Sequence, residues 1–288
     1  VGIILAGGNN NRMKELTHKR AVAAMPIAGS YRSIDFALSN MTNSHIQKVA
    51  VLTQYNARSL NEHLNSSKWW NFGRKQGGLY VFTPTITNDN GYWYRGTADA
   101  IYQNMDFLKK SHEPYVVIAS GDAVYKMDYS KVLQYHIDKK ADVTVVCKEM
   151  DPSDDVSRFG TIRMDDDMRI TEFEEKPMVT KSNMISTGIY VIRRRLLIDL
   201  IEHAAEEERF DFVNDVLIRY KNLKKIYGYK IDHYWSNIAT VDAYYKTNMD
   251  FLKPEVRNYF FKQDPEIYSK VSDLPPAKYN PGASVKNS

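Results

Sequence analysis

The sequence predicts an α/β fold in which helices cover both faces of a mainly parallel sheet. Short apolar runs, which are typical of buried strands, alternate along the first half of the chain with longer segments of helical periodicity. This alternation indicates strands joined by crossover helices. With 288 residues, of which 43% are hydrophobic and 26% charged, the chain is long enough to bury a substantial core.

The amino-terminal half supplies the alternating elements. Apolar runs predict strands at residues 1–5, 49–53, 115–120 and 143–146, and the first of these meets a glycine turn at residues 6–8. Helical periodicity between these runs predicts helices at 31–43, 97–110 and 129–139. Strands separated by helices in this order are expected to lie parallel to one another.

The pattern changes in the carboxyl-terminal half. Residues 159–164 and 169–173 flank an Asp-Asp-Asp turn and predict a hairpin, and a further strand is predicted at 188–192, so the sheet should be mixed at one edge. Helices are predicted at 211–220 and 240–252. Residues 272–288 contain three prolines and no periodicity, which predicts a linker after a domain spanning residues 1–271.

The bulk properties exclude several classes of protein. No run approaches the roughly 20 apolar residues of a membrane span, and the start of the chain does not resemble a secretion signal. The net charge is only +4 and is spread along the chain, so no nucleic-acid partner is expected. The single cysteine, Cys147, lies in an apolar run and is expected to be a buried thiol, which favours the cytoplasm.

The glycine turn is the first candidate for a functional site. Gly7 and Gly8 follow a predicted strand, and ligands of open α/β sheets bind beyond the carboxyl ends of the strands. Backbone amides of such a turn can hold a phosphate. A tight connection from strand to helix would explain the same two residues equally well.

A longer set of motifs, read in order, resembles one enzyme family. The motifs are Leu5-Ala-Gly-Gly8, Lys19-Arg-Ala21, Arg32-Ser-Ile-Asp-Phe-Ala-Leu-Ser-Asn40, Leu52-Thr-Gln-Tyr55, Arg95-Gly-Thr-Ala-Asp-Ala100, Gly121-Asp122, Glu174-Glu-Lys-Pro177 and Ser186-Thr-Gly-Ile-Tyr190. This set is similar to glucose-1-phosphate adenylyltransferase, also called ADP-glucose pyrophosphorylase. The resemblance implies a Rossmann-like nucleotidyltransferase domain, with a left-handed β-helix domain expected beyond Ser288.

The resemblance also implies a reaction. An oxygen of glucose 1-phosphate attacks the α-phosphorus of ATP, which gives ADP-glucose and pyrophosphate, and Mg²⁺ assists. Arg12 and Asp122 match catalytic positions of the family, and Asp122 matches the first metal ligand. Asn237 stands where the Trp-Arg-Asp-Val-Gly-Thr motif has the second metal aspartate. Since an amide carries no charge, Mg²⁺ binding is expected to be weakened.

Two further positions depart from the pattern of active relatives. The turn Gly-Gly-Arg-Gly-Thr-Arg-Leu of those relatives has lost its arginine to Asn9, and the lysine of Arg-Ala-Lys-Pro-Ala-Val is replaced by Val22. Both changes remove positive charge that stabilises phosphoryl transfer. Because the remaining motifs are intact, the sequence predicts a catalytically impaired protein that kept its framework.

The resemblance assigns two binding regions. The nucleotide positions are Leu5, Ala6, Gly7, Gly8, Gly96, Thr97 and Asp99, and the sugar-phosphate positions are Glu175, Lys176, Ser186 and Tyr190. Structural roles stay open for several of them. Thr97 and Asp99 would also suit the start of a helix, Lys176 a solvated surface, and Ser186 and Tyr190 the packing of a strand. Asp122 would also suit a helix cap.

The combined pattern is similar to the non-catalytic regulatory subunit of bacterial glycogen biosynthesis. Such a subunit modulates a catalytic partner within a hetero- or homo-tetramer and binds ATP, ADP-glucose, glucose 1-phosphate or a sugar-phosphate effector. An active glucose-1-phosphate adenylyltransferase is the alternative, since Arg12, Asp122 and Lys176 persist. A nucleotidyltransferase for another base or sugar, and a sugar-phosphate sensor, are further alternatives.

Overall fold

The computed structural model of the protein describes residues 1–8, 11–73, 77–86, 91, 93–271, 275 and 278–286. In chain order its strands and helices are β1 (Gly2–Leu5), β2 (Pro26–Ile27), β3 (Tyr31–Arg32), α1 (Ser33–Asn43), β4 (Lys48–Leu52), α2 (Arg58–His63), β5 (Gly78–Phe82), α3 (Thr97–Gln103), α4 (Met105–Lys109), β6 (Tyr115–Ser120), β7 (Ala123–Tyr125), α5 (Tyr129–Asp138), β8 (Val143–Glu149), β9 (Gly160–Met164), β10 (Ile170–Glu175), β11 (Met184–Arg193), α6 (Arg194–Glu206), β12 (Ile226–Ile231), β13 (Trp235–Asn237), α7 (Val241–Asp250) and α8 (Pro254–Phe261). A π-helix, Phe212–Ile218, lies between α6 and β12.

The described strands form one central sheet and two small ribbons. Neighbouring strands of the sheet follow the order β12-β8-β11-β6-β1-β4-β5, and the hairpin of β9 and β10 joins the amino-terminal part of β11. All pairs between β6, β1, β4 and β5 are parallel, as is β12 with β8. Among the described strands of the sheet, β11 and β10 run against this direction, whereas β8 and β9 run with it. The mixed, mainly parallel sheet predicted from the sequence is confirmed.

Alternation of side chains along the strands builds a core on each face of the sheet. Ile3 and Ile118 point to the face covered by α3, α4, α6 and the π-helix. Ile4 and Val117 point to the opposite face, which α1, α2 and α5 cover. Because both faces are covered, the strands need apolar residues at every position, which explains the continuous runs in the sequence.

Several predicted elements differ in their limits. The single helix predicted at 97–110 is two helices, since the Asn104 side chain donates to the Ala100 carbonyl at 2.9 Å and to the Tyr94 hydroxyl at 2.8 Å. These bonds replace regular helical contacts at the break. The strand predicted at 188–192 extends over the ten residues Met184–Arg193, with a register shift between Ser186 and Tyr190.

A third apolar cluster fastens the end of the chain to α1. Phe36 of α1 packs against Phe251, which directly follows α7, and against Phe260, which lies in α8. Ile267 joins the same cluster. The Ser269 hydroxyl donates to the fully buried Asp35 carboxylate at 2.6 Å. Among the described residues after 271, namely 275 and 278–286, there is no helix or strand. The linker at 272–288 stays a prediction.

The expectation for the single cysteine is confirmed. Cys147 is completely buried in β8, and burial raises the pKa of its thiol to about 12, so the group is protonated and unreactive at neutral pH. In the described part of the chain, every helix is too short or too polar to cross a bilayer.

Candidate functional site

A cleft of about 710 Å³ opens where the central parallel strands end. Leu5, Leu52 and Ser120 are the last residues of β1, β4 and β6, and all three line the cleft. Parallel strands bring their carboxyl ends to one edge of a sheet, and the loops that follow them form the walls of a crevice there. The cleft therefore lies at the edge that the sequence predicted.

Most of the residues assigned from the sequence meet in this cleft. Its lining includes Leu5, Ala6, Gly7, Gly8, Arg12, Val22, Gly96, Thr97, Asp122, Lys176, Tyr190 and Asn237. Asp99, Glu175 and Ser186 lie directly behind lining residues instead of on the surface of the cleft. Asn9 falls outside the described residues.

The glycine turn leaves open space at the wall of the cleft. The φ angle of Gly8 lies outside the left-handed region, and a Cβ built on it meets no described atom within 4 Å. Neither the backbone conformation nor packing among the described residues therefore requires glycine here. A ligand that approaches the backbone closely would require it, since a side chain would occupy the ligand's space.

Asp122 and Asn237 are neighbours on a two-stranded ribbon. Strand β7 begins directly after Asp122 and pairs with β13, in which Asn237 lies opposite Ala123. The Ile238 amide also donates to the Asp122 carbonyl at 2.9 Å. Asp122 is followed by a strand, and Asp128 is the residue that caps the next helix, so the alternative of a helix cap for Asp122 is wrong.

Both side chains of this pair are already engaged. The Ser120 hydroxyl donates to Oδ1 of Asp122 at 2.5 Å. Oδ1 of Asn237 accepts from the Ala239 amide at 3.1 Å and from Nη1 of Arg158 at 3.3 Å. A guanidinium thus lies beside the position where the resemblance implies a second metal carboxylate.

Arg158 is a lining residue that the sequence did not reveal. Its guanidinium lies 4.5 Å from the centre of the Phe159 ring, and Phe159 packs edge-on against Trp235 of β13 at 5.6 Å. Burial lowers the pKa of Arg158, nearby Asp122 raises it and nearby Arg12 lowers it. An arginine stays cationic despite such effects. The packing of Phe159, the residue before β9, on Trp235 of β13 brings this cation to Asn237, so no local pattern could have indicated it.

The Gly96 side of the cleft is held by a network around Asp99. A Cβ on Gly96 would lie 2.3 Å from the Phe210 carbonyl oxygen, so only glycine fits. The buried Asp99 carboxylate accepts from the Arg95 amide at 2.8 Å and from its guanidinium at 3.2 Å. The Arg95 guanidinium also lies 3.8 Å from the centre of the Phe210 ring, and Arg95 lines the cleft. Asp99 therefore positions Arg95.

Thr97 lies on the same side, and its side chain is used by the fold. Its hydroxyl oxygen accepts from the Phe212 amide at 2.9 Å. This bond fixes the start of α3 against the start of the π-helix. Thr97 therefore has the role at the start of a helix that the sequence offered as an alternative to ligand binding. The same residue lines the cleft, and its role toward a nucleotide stays a prediction.

The opposite side carries the residues assigned to a sugar phosphate. Nζ of Lys176 lies 2.9 Å from the Glu175 carboxylate, and the lysine lines the cleft with 60% of its side chain exposed. Its position is therefore compatible both with a contact to a sugar phosphate and with a solvated surface lysine. The Ser186 hydroxyl lies 3.2 Å from the Tyr190 hydroxyl and supports it from behind. Burial raises the pKa of Tyr190, so its hydroxyl is neutral and available for hydrogen bonds.

The described lining of the cleft is strongly basic. It contains four basic side chains, those of Arg12, Arg95, Arg158 and Lys176, and one carboxylate, that of Asp122. A cleft lined by one sign of charge concentrates ligands of the opposite sign. This arrangement suits a ligand with one or more phosphates.

Comparison with known proteins gives a consistent set of relatives. The nucleotidyl transferase family matches residues 1–254. Glucose-1-phosphate adenylyltransferases of Thermosipho melanesiensis and Clostridium novyi are 39% and 40% identical to the chain over its full length, which covers 70% and 76% of those proteins. The enzyme of Bacillus thuringiensis (strain Al Hakam) is 40% identical, with 77% of its length covered.

A crystal structure shows the same fold at lower identity. A Bacillus anthracis protein, described as a glucose-1-phosphate thymidylyltransferase and crystallised with a sucrose, superposes with a TM-score of 0.68 and 22% identity. The match covers 86% of this chain and 93% of that protein. At this identity the likeness concerns the fold alone.

Proposed function

The chain belongs to the glucose-1-phosphate adenylyltransferase family of nucleotidyl transferases, and on that premise we propose that it is a regulatory subunit with little or no turnover of its own. In this proposal it binds the ligands of the family, ATP, ADP-glucose or glucose 1-phosphate, and modulates a catalytic partner within a tetramer. The subunit would act in glycogen biosynthesis in the cytoplasm.

The observation that carries the proposal is the neutral side chain of Asn237, which lies beside Asp122 on the ribbon of β7 and β13. A divalent cation in such a site depends on negative charge to lose its water shell, and Asn237 offers an amide oxygen that already accepts two hydrogen bonds. Electrostatic stabilisation of the developing phosphoryl charge is usually the largest single contribution to catalysis of this kind. A weakened metal site therefore favours binding without efficient turnover.

Val22 supports the same proposal from another wall of the cleft. Its side chain is 7% exposed and packs in an apolar cluster with Met13 and Met25. A valine at the surface of a phosphate-binding cleft supplies no charge, whereas the family motif has lysine there. Each missing electrostatic contact is expected to lower the rate about 10²-fold, so the changes together leave little activity.

The proposal assigns the remaining residues by their place around the cleft. The nucleotide would lie against Leu5, Ala6, Gly7 and Gly8 and against Gly96 and Thr97, with Asp99 holding Arg95 beside it. The sugar phosphate would contact Lys176 and Tyr190, which Glu175 and Ser186 support. Arg12 and Asp122 would keep the positions of catalytic groups.

Pyrophosphate release tests this proposal. The full chain is assayed with ATP, glucose 1-phosphate and Mg²⁺, alone and mixed with a catalytic subunit from the same organism. We expect no measurable release by the chain alone and altered kinetics of the catalytic subunit in the mixture. Robust turnover by the chain alone would refute the regulatory role.

An active enzyme is the second candidate, because Asp122, Arg12 and Lys176 all line the cleft. The triple variant Asn9→Arg, Val22→Lys and Asn237→Asp separates the two candidates. If missing charge is the defect, the folded triple variant releases pyrophosphate faster than the unmodified chain by about 10²-fold or more. No gain would mean that these positions do not limit turnover.

A further inference from the structure

The residues beside Asp122 do not fit a magnesium ion. Mg²⁺ in proteins is held by oxygen ligands in octahedral geometry, usually with one or two carboxylates. Asp122 supplies one carboxylate, and the Asn237 oxygen already accepts from Ala239 and from Arg158. Within the described ranges, no group of three or more His, Cys, Asp or Glu residues is close enough to hold a metal ion. A guanidinium at hydrogen-bond distance from Asn237 would also repel a divalent cation.

We propose that the Arg158 guanidinium takes the place of this cation, so that the cleft binds a nucleoside diphosphate sugar without a divalent metal. The inference deepens the proposed function and rests on it, because it concerns the same cleft and the same ligands. It adds the group that neutralises the phosphates. The position of Arg158 is not among those implied by the resemblance.

Arg158 is held where such a role requires it. Asn237 accepts from Nη1 at 3.3 Å, and the Phe159 ring lies under the guanidinium plane at 4.5 Å, so the group is oriented from two sides. A planar guanidinium presents several N–H donors in a fixed arrangement that matches two phosphate oxygens at once. Because the residue lines the cleft, a donor that is not used by Asn237 can reach a ligand.

A second guanidinium lies close enough to Arg158 to act on it. Arg12 lowers the pKa of Arg158, whereas Asp122 raises it more strongly, and Asp155 and Asp154 raise it further. Because both arginines line the cleft, a diphosphate bound between them would gain hydrogen bonds from Arg158 and electrostatic attraction from Arg12.

Isothermal titration calorimetry with ADP-glucose tests the inference on the full chain. Titrations are made in EDTA and, separately, in Mg²⁺. We expect dissociation constants that agree within about twofold, a difference of about 0.4 kcal/mol in binding free energy. A dissociation constant about tenfold or more weaker in EDTA would overturn the inference, as would the absence of binding under both conditions.

Variants of Arg158 identify the group responsible. Arg158→Ala is expected to weaken binding in EDTA by about tenfold or more, the usual effect of losing a charge-assisted hydrogen bond. Arg158→Lys keeps the charge but loses the paired donors, so an intermediate loss is expected. Arg163→Ala is the matched control, since Arg163 lies five residues further along the chain, in β9, and pairs with Glu172 at 3.6 Å outside the cleft lining. Equal affinity of Arg158→Ala and Arg163→Ala would overturn the inference.

Asn237→Asp gives a test that leaves Arg158 in place. A carboxylate beside the guanidinium would neutralise it and would restore a second metal ligand. We expect this variant to bind ADP-glucose more weakly than the unmodified chain in EDTA and to recover affinity in Mg²⁺. Affinity that is unchanged in both conditions would contradict the role of Arg158. Thermal melts of every variant confirm folding.

The failure of this inference is distinguishable from failure of the proposed function. A chain that turns over alone but binds ADP-glucose equally in EDTA and Mg²⁺ would refute the regulatory role and keep the inference. A chain that releases no pyrophosphate alone but binds ADP-glucose only with Mg²⁺ would keep the regulatory role and refute the inference.

Discussion

Replacing Asp35 with alanine tests how the end of the chain is fastened to the domain. The carboxylate is fully buried and accepts three hydrogen bonds, from the Arg32 amide at 2.8 Å, from Nε2 of His63 at 2.6 Å and from the Ser269 hydroxyl at 2.6 Å. These partners come from the start of α1, from α2 and from the chain after α8. One side chain therefore links three distant segments.

The expected cost follows from these contacts. A hydrogen bond to a charged group contributes about 1.5–3 kcal/mol, and removing one member of a buried charged network costs about 3–5 kcal/mol. The Arg32 amide, His63 and Ser269 all lose their acceptor, and each of these three hydrogen bonds is partly buried. We expect Asp35→Ala to lower the free energy of unfolding by about 3–5 kcal/mol, or Tm by roughly 10 °C.

Urea unfolding and amide hydrogen exchange measure the two consequences. The first gives the loss of stability, and the second should show faster exchange at Tyr268, whose amide donates to the Ser39 hydroxyl at 2.8 Å beside this site. Ser269→Ala should cost about 1–2 kcal/mol and accelerate exchange in the same segment. Asp106→Ala is the control, because its carboxylate is 80% exposed and pairs with the exposed Lys110 at 3.0 Å, so the change should stay within about 0.5 kcal/mol.

The result that would refute this reasoning is specific. If Asp35→Ala unfolded at the same urea concentration as Asp106→Ala, the buried carboxylate would not hold the three segments together. A large loss of stability without faster exchange at Tyr268 would show that Asp35 supports α1 and α2 but not the end of the chain.

Three further predictions concern single positions. Gly96→Ala should lower the free energy of unfolding by about 2–4 kcal/mol in urea titrations, because the new Cβ would lie 2.3 Å from the Phe210 carbonyl oxygen; an unchanged midpoint would contradict this. Gly8→Ala should change the free energy of unfolding by no more than about 1 kcal/mol, because the added methyl meets no described atom. It should weaken ADP-glucose binding about tenfold in calorimetry, because the methyl enters the cleft. Unchanged binding would exclude a close approach of the ligand to the backbone of Gly8. Burial lowers the pKa of His136 to about 4, so the folded state disfavours its protonation and loses about 3 kcal/mol as the pH falls from about 6.5 to 4. His136→Gln should show a smaller loss over this interval, and an equal loss would assign acid sensitivity to other groups.

The sequence predicted β1, β4, β6 and β8 because these strands are largely buried on both faces. Strands β5 and β12, which are partly exposed and lack a continuous apolar run, were missed. Strand β6 coincides with the predicted residues 115–120, since every position of that run is apolar until the chain reaches the cleft at Ser120. The ribbon of β7 and β13 was missed because three-residue strands carry too little pattern to detect. The break at Asn104 depends on the Tyr94 hydroxyl, a contact made only in the folded chain.

The same distinction applies to the cleft. Gly7, Gly8 and Asp122 follow strands whose direction the sequence predicts, so their meeting at one edge could be expected. Arg158 contacts Asn237, which is 79 residues away along the chain, and the contact needs Phe159 to pack on Trp235 of β13. Asp99 and Ser186 turned out to support lining residues, a distinction that depends on side-chain direction within α3 and β11.

The antiparallel strand β11 has a consequence for synthesis of the protein. Strand β6 pairs with β1 on one side, and its other edge pairs with β11, whose last residue is Arg193. A ribosome adds the roughly 70 residues between the ends of these strands in about 4–15 s. During that interval the nascent chain carries an apolar strand with an open backbone edge, which is the kind of surface that chaperones shield and that promotes aggregation.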